Sequence, residues 1–427
     1  MTQTRRRFLK IVAGTTTAMS LSAISYGRVL GANNKLGIGI IGVGGQGGYS
    51  LGSLARIENI VALCDVDSQR VAKERATHSQ AVFTQDYRDV VTRKDVDAVA
   101  VCTPDHTHAP IAMAALKENK HVYCEKPLCH TVHEVLALMN EAKQRKMTTQ
   151  MGTQIHAGEN YRRVVEIIQS GVLGTVTEAH TWVGGNYEAG DFPSDTPPVP
   201  ASLNYDLWLG PAEFQAYHPV FVPFNWRRFW KFGTGRFGDM ACHHMDLPKW
   251  ALGLGMPISV EAEGSPVHAT GCPSWVIARY LFERPGGGEP VKLTWYDGGK
   301  RPPQFADSSF PKWGDGNLFV GTKGMLLADY GKLKLWPEEQ FKDFKIESKL
   351  PKSLGHHKEW CEAIKGNGQP MCQFDYSGPL SVAVLLGTVA YRANQKLLWD
   401  SEKNWVKNSS PAVEGLLKKT YRKGWSL

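Results

Sequence analysis

The chain from about residue 35 to residue 152 alternates short apolar runs with longer amphipathic stretches. The apolar runs predict six strands, at 36–41, 60–64, 81–83, 98–102, 121–124 and 148–151. The stretches between them predict helices near 45–57, 68–77, 87–92, 111–118 and 133–146. Short buried strands that alternate with helices are typical of βαβ units around a parallel sheet. We therefore predict an α/β fold class with a doubly wound N-terminal domain over residues 35–152.

The pattern changes after Gly152. A helix is predicted at 161–169, and the alternation over 176–183 predicts a half-exposed strand. Residues 184–235 are rich in Pro, Gly and aromatic residues and predict a long excursion with little regular structure, the kind of loop that often forms a binding wall. Later alternating runs predict an open, mostly antiparallel sheet, at 259–263, 276–282, 291–296, 317–321 and 324–329. Helices are predicted at 356–365 and 379–394, and they can pack back on the first domain. We therefore predict a second, α+β domain over residues 153–427.

A G-x-G-x-x-G sequence follows the first predicted strand and opens a helix. Its residues are Gly42, Gly44, Gly45, Gln46 and Gly47, with Val43 between the first two glycines. Glycines at these positions permit a tight turn and a close approach of the backbone to a pyrophosphate, which the helix N-terminus then binds. In this context the pattern predicts a Rossmann-type dinucleotide site.

An acid stands at the end of the second predicted strand. Asp65 lies 23 residues after Gly42, where a carboxylate accepts hydrogen bonds from the adenosine ribose hydroxyls and repels a 2′-phosphate. We therefore predict NAD in preference to NADP. The alternative is that Asp65 only caps a helix.

Two further strand ends carry polar residues toward the same edge of the sheet. Thr103 and Pro104 follow the fourth strand, with His106 and His108 close behind, and Glu125 and Lys126 follow the fifth. Ligands of open α/β sheets lie at this edge. We predict that Thr103, Pro104, His108, Glu125 and Lys126 bind the cofactor, and that Lys126 also reaches the substrate. A loop histidine that only caps the next helix is the alternative for His106 and His108.

A third cluster lies after the aromatic excursion. Asp239 and His243 are spaced i, i+4, so on a helix they share a face, and Asp246 follows. The carboxylate can orient the imidazole, which can then take a hydroxyl proton as hydride leaves the same carbon. A metal site built from Asp239, Cys242, His243 and His244 is the competing interpretation, but consecutive helical side chains point apart and fit one ion poorly. We predict no metal.

Twelve aromatic residues lie between Tyr205 and Trp250, interleaved with Arg227, Arg228, Lys231 and Arg236. Rings that stack on the C–H faces of a pyranose, beside donors for its hydroxyls, suit a sugar site, although most of the rings are expected to fill a core. The predicted substrate-binding residues are Trp226 and Arg227 from this stretch, and Gln154, His156, Tyr161 and Arg162 after the last strand of the first domain.

The glycine sequence, the Glu125-Lys126-Pro127 run and the stretch from Gly235 to Asp246 together resemble the Gfo/Idh/MocA oxidoreductases. The resemblance covers about residues 35–395, with Ala241 and Phe237 as mild departures. It implies that Lys126, Asp239 and His243 are catalytic. It also implies a homodimer or homotetramer that pairs through the open sheet.

The first 32 residues resemble a twin-arginine export signal. Thr4-Arg5-Arg6-Arg7-Phe8-Leu9-Lys10 matches the signal at every position, and a short apolar run follows over 11–24. That run is too short to span a bilayer. We therefore expect a cleaved signal at 1–32, the twin-arginine translocase as a partner and a periplasmic location. A chance basic N-terminus on a cytosolic enzyme is the alternative.

Charge and cysteine content exclude two further features, a nucleic-acid partner and a disulfide framework. The net charge is +8, but five cations and no acid lie in the first 32 residues, so the remainder has 44 cations against 41 acids. No nucleic-acid partner is expected from so small an excess. The eight cysteines form no short-spaced disulfide framework, and we expect free, buried thiols.

Three functions follow from these features. The first is an NAD-dependent oxidoreductase that moves hydride between the cofactor and a hydroxyl-bearing ring carbon of a sugar or glycoside. The second is a redox-neutral, NAD-requiring glycosidase or lyase that works through a transient keto-sugar. The third, a non-catalytic sugar-binding protein, fits poorly with intact Lys126, Asp239 and His243. Because the periplasm offers no ready pool of free NAD, we expect the cofactor to be tightly bound.

Overall fold

The computed structural model of the protein describes residues 35–427. The predicted export signal at 1–32 lies outside these residues. Within them no helix combines the length and the apolar character that crossing a membrane would require.

The first domain is a parallel six-stranded sheet with helices on both faces, which confirms the predicted fold class. The strand order is β3-β2-β1-β4-β5-β6, so the chain changes direction between β1 and β4, where open α/β sheets bind ligands. Its elements are β1 (Gly37–Ile41), α1 (Gln46–Leu54), β2 (Asn59–Cys64), α2 (Ala72–Thr77), β3 (Val82–Thr84), α3 (Tyr87–Val91), β4 (Ala98–Val101), α4 (Asp105–Lys117), β5 (His121–Cys124), α5 (Val132–Arg145) and β6 (Thr149–Met151).

The helix α4 begins six residues earlier than the sequence predicts. The predicted helix starts at residue 111, just after Pro110, and proline lacks the N–H that an α-helix interior uses. The structure includes Pro110 in the helix. The carbonyl of His106, one turn before it, accepts instead from the Lys419 ammonium at 3.1 Å, so the proline leaves no carbonyl unpaired there.

The second domain contains a nine-stranded sheet in the order β13-β12-β11-β7-β10-β9-β8-β14-β15. Its pairings are antiparallel except for β7 with β10. The elements are α6 (Glu159–Gln169), β7 (Val176–Trp182), α7 (Tyr205–Leu209), α8 (Gly235–His244), α9 (Asp246–Leu252), β8 (Pro257–Gly264), β9 (Val276–Phe282), β10 (Val291–Tyr296), β11 (Gly316–Gly321), β12 (Gly324–Ala328), β13 (Leu333–Trp336), α10 (Glu338–Phe341), α11 (His356–Ile364), α12 (Phe374–Ala393), β14 (Leu397–Asp400), β15 (Trp405–Val406) and α13 (Pro411–Leu417).

The strand β7 corrects one prediction, because it is central and buried rather than half-exposed. His180, Thr181 and Trp182 are all buried. The alternation pattern counts His180 as a polar, exposed position. Its imidazole instead lies inside the protein, paired with the Tyr296 hydroxyl at 3.1 Å. The sheet also carries exposed ion pairs, of Arg279 with Glu263 and of Lys292 with Glu178 near the start of β7. That an oligomer forms through this sheet stays a prediction.

The C-terminal helices pack back on the first domain. Trp360 and Cys361 of α11 join the buried cluster that contains Ile38 and Ile40 of β1. The Gln150 amide of β6 donates to the His356 carbonyl at 2.6 Å. These contacts hold both domains around one cleft, which opens at the carboxyl edge of the first sheet.

Candidate active site

The cleft has a volume of about 680 Å³, within the range of small-molecule and cofactor sites. One wall is the glycine loop, Asp65 and the residues after β4 and β5. The other is formed by residues of the aromatic excursion and by α8, with Asp239 and His243. Of the predicted cofactor residues, the wall includes Gly42, Gly44, Gly45, Gln46, Asp65, Thr103, Pro104, Glu125 and Lys126.

The glycine loop has the geometry that a dinucleotide needs. Gly42 has a φ of +83°, and a Cβ there would lie 2.6 Å from the Cys102 carbonyl oxygen. Gly47 lies behind the cleft wall, where a Cβ would be 1.7 Å from the Gly42 oxygen. The loop and α1 can therefore approach each other this closely only with glycine. No acid lies in the first turn of α1, so its positive dipole end remains available for phosphates.

The Asp65 carboxylate is bound to the glycine loop itself. It accepts from the backbone N–H groups of Val43 at 2.9 Å and Gly44 at 3.2 Å, and from Asp67 at 3.0 Å. It does not cap a helix N-terminus. Burial raises the pKa of this carboxyl, against the lowering effect of these N–H donors. Asp65 thus shapes the loop, and it lines the cleft where an adenosine ribose lies in a Rossmann domain.

An ion pair joins the two domains at the other end of the cleft. The Lys126 Nζ lies 2.5 Å from Asp239 Oδ1 and also donates to the Asp239 backbone carbonyl at 2.7 Å. Arg227 Nε lies 3.5 Å from the same carboxylate oxygen. Burial would raise the pKa of Asp239, but the positive charges of Lys126 and Arg227 outweigh it and hold that pKa well below its usual value. The carboxylate is therefore ionised at any ordinary pH.

Tyr187 completes the surroundings of this carboxylate and was not predicted. Its hydroxyl donates to Asp239 Oδ2 at 2.7 Å and accepts from the Arg236 guanidinium at 3.2 Å. Burial and the Asp239 charge raise the pKa of Tyr187 to about 12. The only sequence signal was its place in the aromatic excursion.

His243 lies one turn after Asp239 on α8, at the cleft wall. Its Nδ1 is buried and has no hydrogen-bond partner. Burial, followed by the positive charge of Lys126, lowers the pKa of this imidazole well below its usual value. His243 is therefore neutral near pH 7, the form that can accept a proton.

Glu125 lies behind Lys126 in a small polar network. Its Oε1 accepts from the Gln154 amide at 2.8 Å, and the same amide donates to the Tyr123 hydroxyl at 2.8 Å. Its Oε2 is buried without a partner. Burial raises the pKa of Glu125 to about 7, although the charge of Lys126 opposes the shift. Gln154 lines the cleft as predicted for a substrate residue, but its amide is already engaged here.

Asp105, another residue that sequence reasoning missed, also lines the cleft. It is the first residue of α4 and accepts from the Thr234 hydroxyl at 2.7 Å. Burial raises its pKa to about 7. Because Thr234 immediately precedes α8, this hydrogen bond ties that helix to the first domain.

Besides Gly47, four predicted site residues lie outside the cleft wall. His108 is buried, with its two ring nitrogens at the carbonyls of Pro127 and Thr103, so it braces the loops that carry Lys126 and Thr103. His156 pairs with Asp246 at 2.9 Å and stacks on Trp250. The other two also have partners in the interior: the Tyr161 hydroxyl donates to the His243 carbonyl, and Arg162 pairs with Glu359.

Among the described residues, the one group of side chains close enough to hold a metal ion is His156, Asp246 and Cys372. It lies in the interior, and the Asp246 carboxylate is already bound to His156 and the Tyr376 hydroxyl. The cluster of Asp239, Cys242, His243 and His244 does not converge on such a point. All eight cysteines are free thiols, as expected, and only Cys102 is more than slightly exposed.

Three of the twelve aromatic residues reach the cleft: Trp208, Phe224 and Trp226. The guanidinium of Arg227 lies over the rings of Trp226 and Phe224, at 4.2 and 4.5 Å from their centres. Five of the other nine rings pack with Trp208 and Trp226 in one buried cluster: Tyr205, Tyr217, Phe221, Phe229 and Phe232. Arg70 and Trp425 also line the cleft, and neither was predicted from the sequence.

Two family models together match almost all of the described chain. Residues 36–153 match the NAD-binding Rossmann fold of the Gfo/Idh/MocA oxidoreductase family. Residues 158–427 match a C-terminal alpha/beta domain of the same family. The N-terminal domain is therefore an NAD-binding Rossmann domain.

Curated relatives match part of the chain. A Glycosyl hydrolase family 109 protein of Solibacter usitatus is 31% identical over 40% of this chain and 44% of its own length. An inositol 2-dehydrogenase of Salmonella typhimurium is 32% identical over 36% of this chain and 47% of its own. The matches thus span less than half of these relatives.

Solved structures share the whole fold at low identity. The WlbA dehydrogenase from Bordetella pertussis, in complex with NADH and UDP-GlcNAcA, is 15% identical with a TM-score of 0.63, over 86% of this chain and 99% of that one. The aldose-aldose oxidoreductase from Caulobacter crescentus is 16% identical with a TM-score of 0.57, over 85% and 99%. At this identity the likeness shows the fold alone.

Proposed function

Because the chain belongs to the Gfo/Idh/MocA oxidoreductase family, we propose that it moves a hydride between NAD and a hydroxyl-bearing ring carbon of a sugar or glycoside. The observation that carries this proposal is the convergence of Lys126, Asp239 and His243 at one end of the cleft. These residues come from two domains, and 113 positions separate Lys126 from Asp239. Three aromatic rings and Arg227 beside them suit a flat polyhydroxylated ring.

Each residue has a distinct role in the proposed reaction. NAD, held by the glycine loop and Asp65, supplies a nicotinamide that takes up the hydride. Neutral His243 accepts the proton of the substrate hydroxyl while the C–H bond of the same carbon breaks. Asp239, ionised between Lys126 and Tyr187, binds a hydroxyl and positions the Lys126 ammonium. That ammonium stabilises the oxygen as it becomes a carbonyl.

A redox-neutral cleavage is the second candidate, supported by the relatives named Glycosyl hydrolase family 109 protein. In this reaction the ketone made by hydride removal acidifies the neighbouring C–H. Loss of that proton expels the glycosidic group, water then adds to the double bond, and the hydride returns to the carbonyl carbon. The net change is hydrolysis, so no free NAD is consumed.

Export through the twin-arginine pathway, which we propose from residues 4–10, favours such a closed cycle. That pathway carries folded proteins, so NAD can cross the membrane already bound. Retention through many turnovers requires a dissociation constant at or below the micromolar range, about −8 kcal/mol. The Asp65 carboxylate at the ribose position supports NAD over NADP, because it would repel a 2′-phosphate.

One experiment separates these possibilities. One portion of the purified protein is denatured, and its supernatant is assayed for NAD(H). A second, intact portion is incubated with a panel of sugars and glycosides, and nicotinamide absorbance and released aglycone are measured. Aglycone release over many turnovers without added NAD indicates the redox-neutral reaction. Stoichiometric NADH formation without aglycone indicates net oxidation. If neither signal arises with any sugar, the sugar proposal is wrong.

A further inference from the structure

The last ten residues of the chain return to the first domain and cross the mouth of the cofactor cleft. This C-terminal tail, residues 418–427, follows α13. Its last residue, Leu427, accepts a hydrogen bond from the Lys117 ammonium at 3.1 Å, and two stronger anchors precede it. The first is Glu134 at the start of α5, which pairs with Lys419 at 2.9 Å and accepts from the Tyr421 hydroxyl at 2.7 Å. Glu134 is itself buried, so this anchor is embedded in the domain.

The second anchor is the short helix α7. The Arg422 guanidinium donates to the Asp206 carboxylate at 2.6 Å, to the Asp206 carbonyl at 2.7 Å and to the Gly210 carbonyl at 2.6 Å. Leu207 and Trp208 of the same helix line the cleft. The tail and the cleft wall are therefore tied together through a single arginine.

Between these anchors and the chain end, Trp425 turns its ring toward the cleft. The ring is half-buried, lines the cavity with Arg70, Gln85 and Tyr87, and lies 6.0 Å from the Tyr87 ring, centre to centre. Two guanidinium groups flank it, Arg88 at 5.0 Å and Arg422 at 5.8 Å from the ring centre. Its position is thus defined by contacts with both the tail and the first domain.

The sheet order identifies this end of the cleft. Lys126 follows β5, the glycine loop follows β1 in the middle, and Asp65, Gln85 and Tyr87 follow β2 and β3 on the far side. A dinucleotide whose pyrophosphate lies on the glycine loop and whose nicotinamide lies near Lys126 places its adenosine beyond Asp65. That is where Trp425 lies.

We propose that Trp425 is an adenine-stacking residue and that the C-terminal tail is a strap over the adenosine end of NAD, which slows release of the cofactor. The proposal rests on NAD binding and not on the substrate or reaction proposed above. Because Trp425 lines the cavity, its ring can stack on a purine bound there, and the strap must then move before adenosine can leave. The long cofactor retention that a closed cycle requires then has a physical basis.

The test uses the full-length protein and no sugar. NADH is loaded, excess NAD is added, and the fall in bound-NADH fluorescence gives the dissociation rate. Trp425→Ala is expected to release NADH about tenfold faster or more, since base–aromatic stacking is lost, whereas Trp425→Phe keeps most of the retention. Lys423→Ala, an exposed position in the same tail, and Trp405→Ala, a tryptophan outside the cleft, serve as matched controls and are expected to leave the rate unchanged.

Separate binding measurements with the two halves of the cofactor distinguish the loss of adenine stacking from a general loosening of the cleft. Trp425→Ala should weaken ADP-ribose by about the same factor as NAD and leave nicotinamide mononucleotide unaffected. Release of NADH from Trp425→Ala at the wild-type rate, tighter NAD binding in that variant, or equal weakening of both halves would each overturn the proposal. Failure to find a sugar substrate would not, because none of these measurements involves one.

Discussion

The Asp239 carboxylate is the point at which the charged groups at the Lys126 end of the cleft meet. Lys126, Arg227 and Tyr187 all contact its carboxylate, and Arg236 reaches it through the Tyr187 hydroxyl. Buried charges are tolerated only when they are paired and hydrogen-bonded in this way. The arrangement fixes the protonation states on which the reaction depends: an ionised carboxylate beside a neutral imidazole.

A substitution at His243 tests the role of that imidazole. His243→Ala should lower turnover by about 10²–10⁴, the usual contribution of a general base, while NAD binding stays within about twofold of the wild type. Steady-state kinetics with the sugar found in the panel and titration with NADH check the two expectations. Loss of NADH binding together with turnover would place His243 in the cofactor site instead.

Glu125 should make stability depend on pH. Because burial raises its pKa from 4.5 to about 7, the folded protein holds this proton over a range in which the unfolded chain has lost it. Stability from this group is therefore fully present below about pH 4.5 and is lost as pH rises to about 7, by ~3 kcal/mol. In cofactor-free protein, Glu125→Gln should gain stability relative to the wild type across that range.

Denaturant unfolding of both proteins at a series of pH values measures this difference. The matched comparison is Glu118→Gln, in the same domain and exposed, which should show no such trend. A Glu125→Gln difference that is flat with pH would mean that the carboxyl ionises normally in the folded state.

The element that decides cofactor binding is the turn from β1 into α1. Gly42 has a positive φ, and Gly47 packs its Cα against the Gly42 carbonyl. Together they bring the N-terminus of α1 to the sheet edge, beside the cleft. The turn is held from outside by Asp65, whose carboxylate accepts from two loop N–H groups.

Alanine substitutions at two glycines of α1 distinguish the effect of this close packing from the effect of helix propensity. Gly47→Ala should abolish measurable NAD binding and destabilise the fold, because its Cβ would collide with the Gly42 oxygen. Gly52→Ala meets no atom within 4 Å and should leave binding intact and raise stability by roughly 0.5–1 kcal/mol. NADH titration and thermal unfolding of the two variants provide the test, and equal effects would contradict it.

How much the sequence predicts depends on whether a feature is local. The Rossmann strands, the glycine turn and the i, i+4 pair of Asp239 and His243 are local patterns, and the structure contains each of them. Tyr187 reaches the Asp239 carboxylate, and Trp425 the cleft, only through tertiary packing of irregular segments, which have no periodic pattern. His156, Tyr161 and Arg162 follow the last strand closely, but they belong to an interior hydrogen-bond network that turns them away from the cleft.

At the scale of the whole molecule, the cleft is closed by segments from both ends of the second domain. The aromatic excursion and α8 supply one wall, and the C-terminal tail crosses the adenosine end. Thr234 and Asp105 tie α8 to the first domain, and Arg422 ties the tail to α7. This construction suits an enzyme that keeps its cofactor and exchanges only its substrate.

The most direct test of the central claim is the transfer of a ring hydrogen. The protein, loaded with NAD, is mixed with sugars and glycosides that carry deuterium on their hydroxyl-bearing ring carbons. The reaction is quenched during turnover, before the hydride can return to the sugar, and the cofactor is extracted for mass spectrometry. We predict deuterium on the nicotinamide ring in the wild type, and much less of it in Lys126→Ala and His243→Ala at equal cofactor occupancy. A fully NAD-loaded wild-type protein that takes up no deuterium from any sugar would contradict the account.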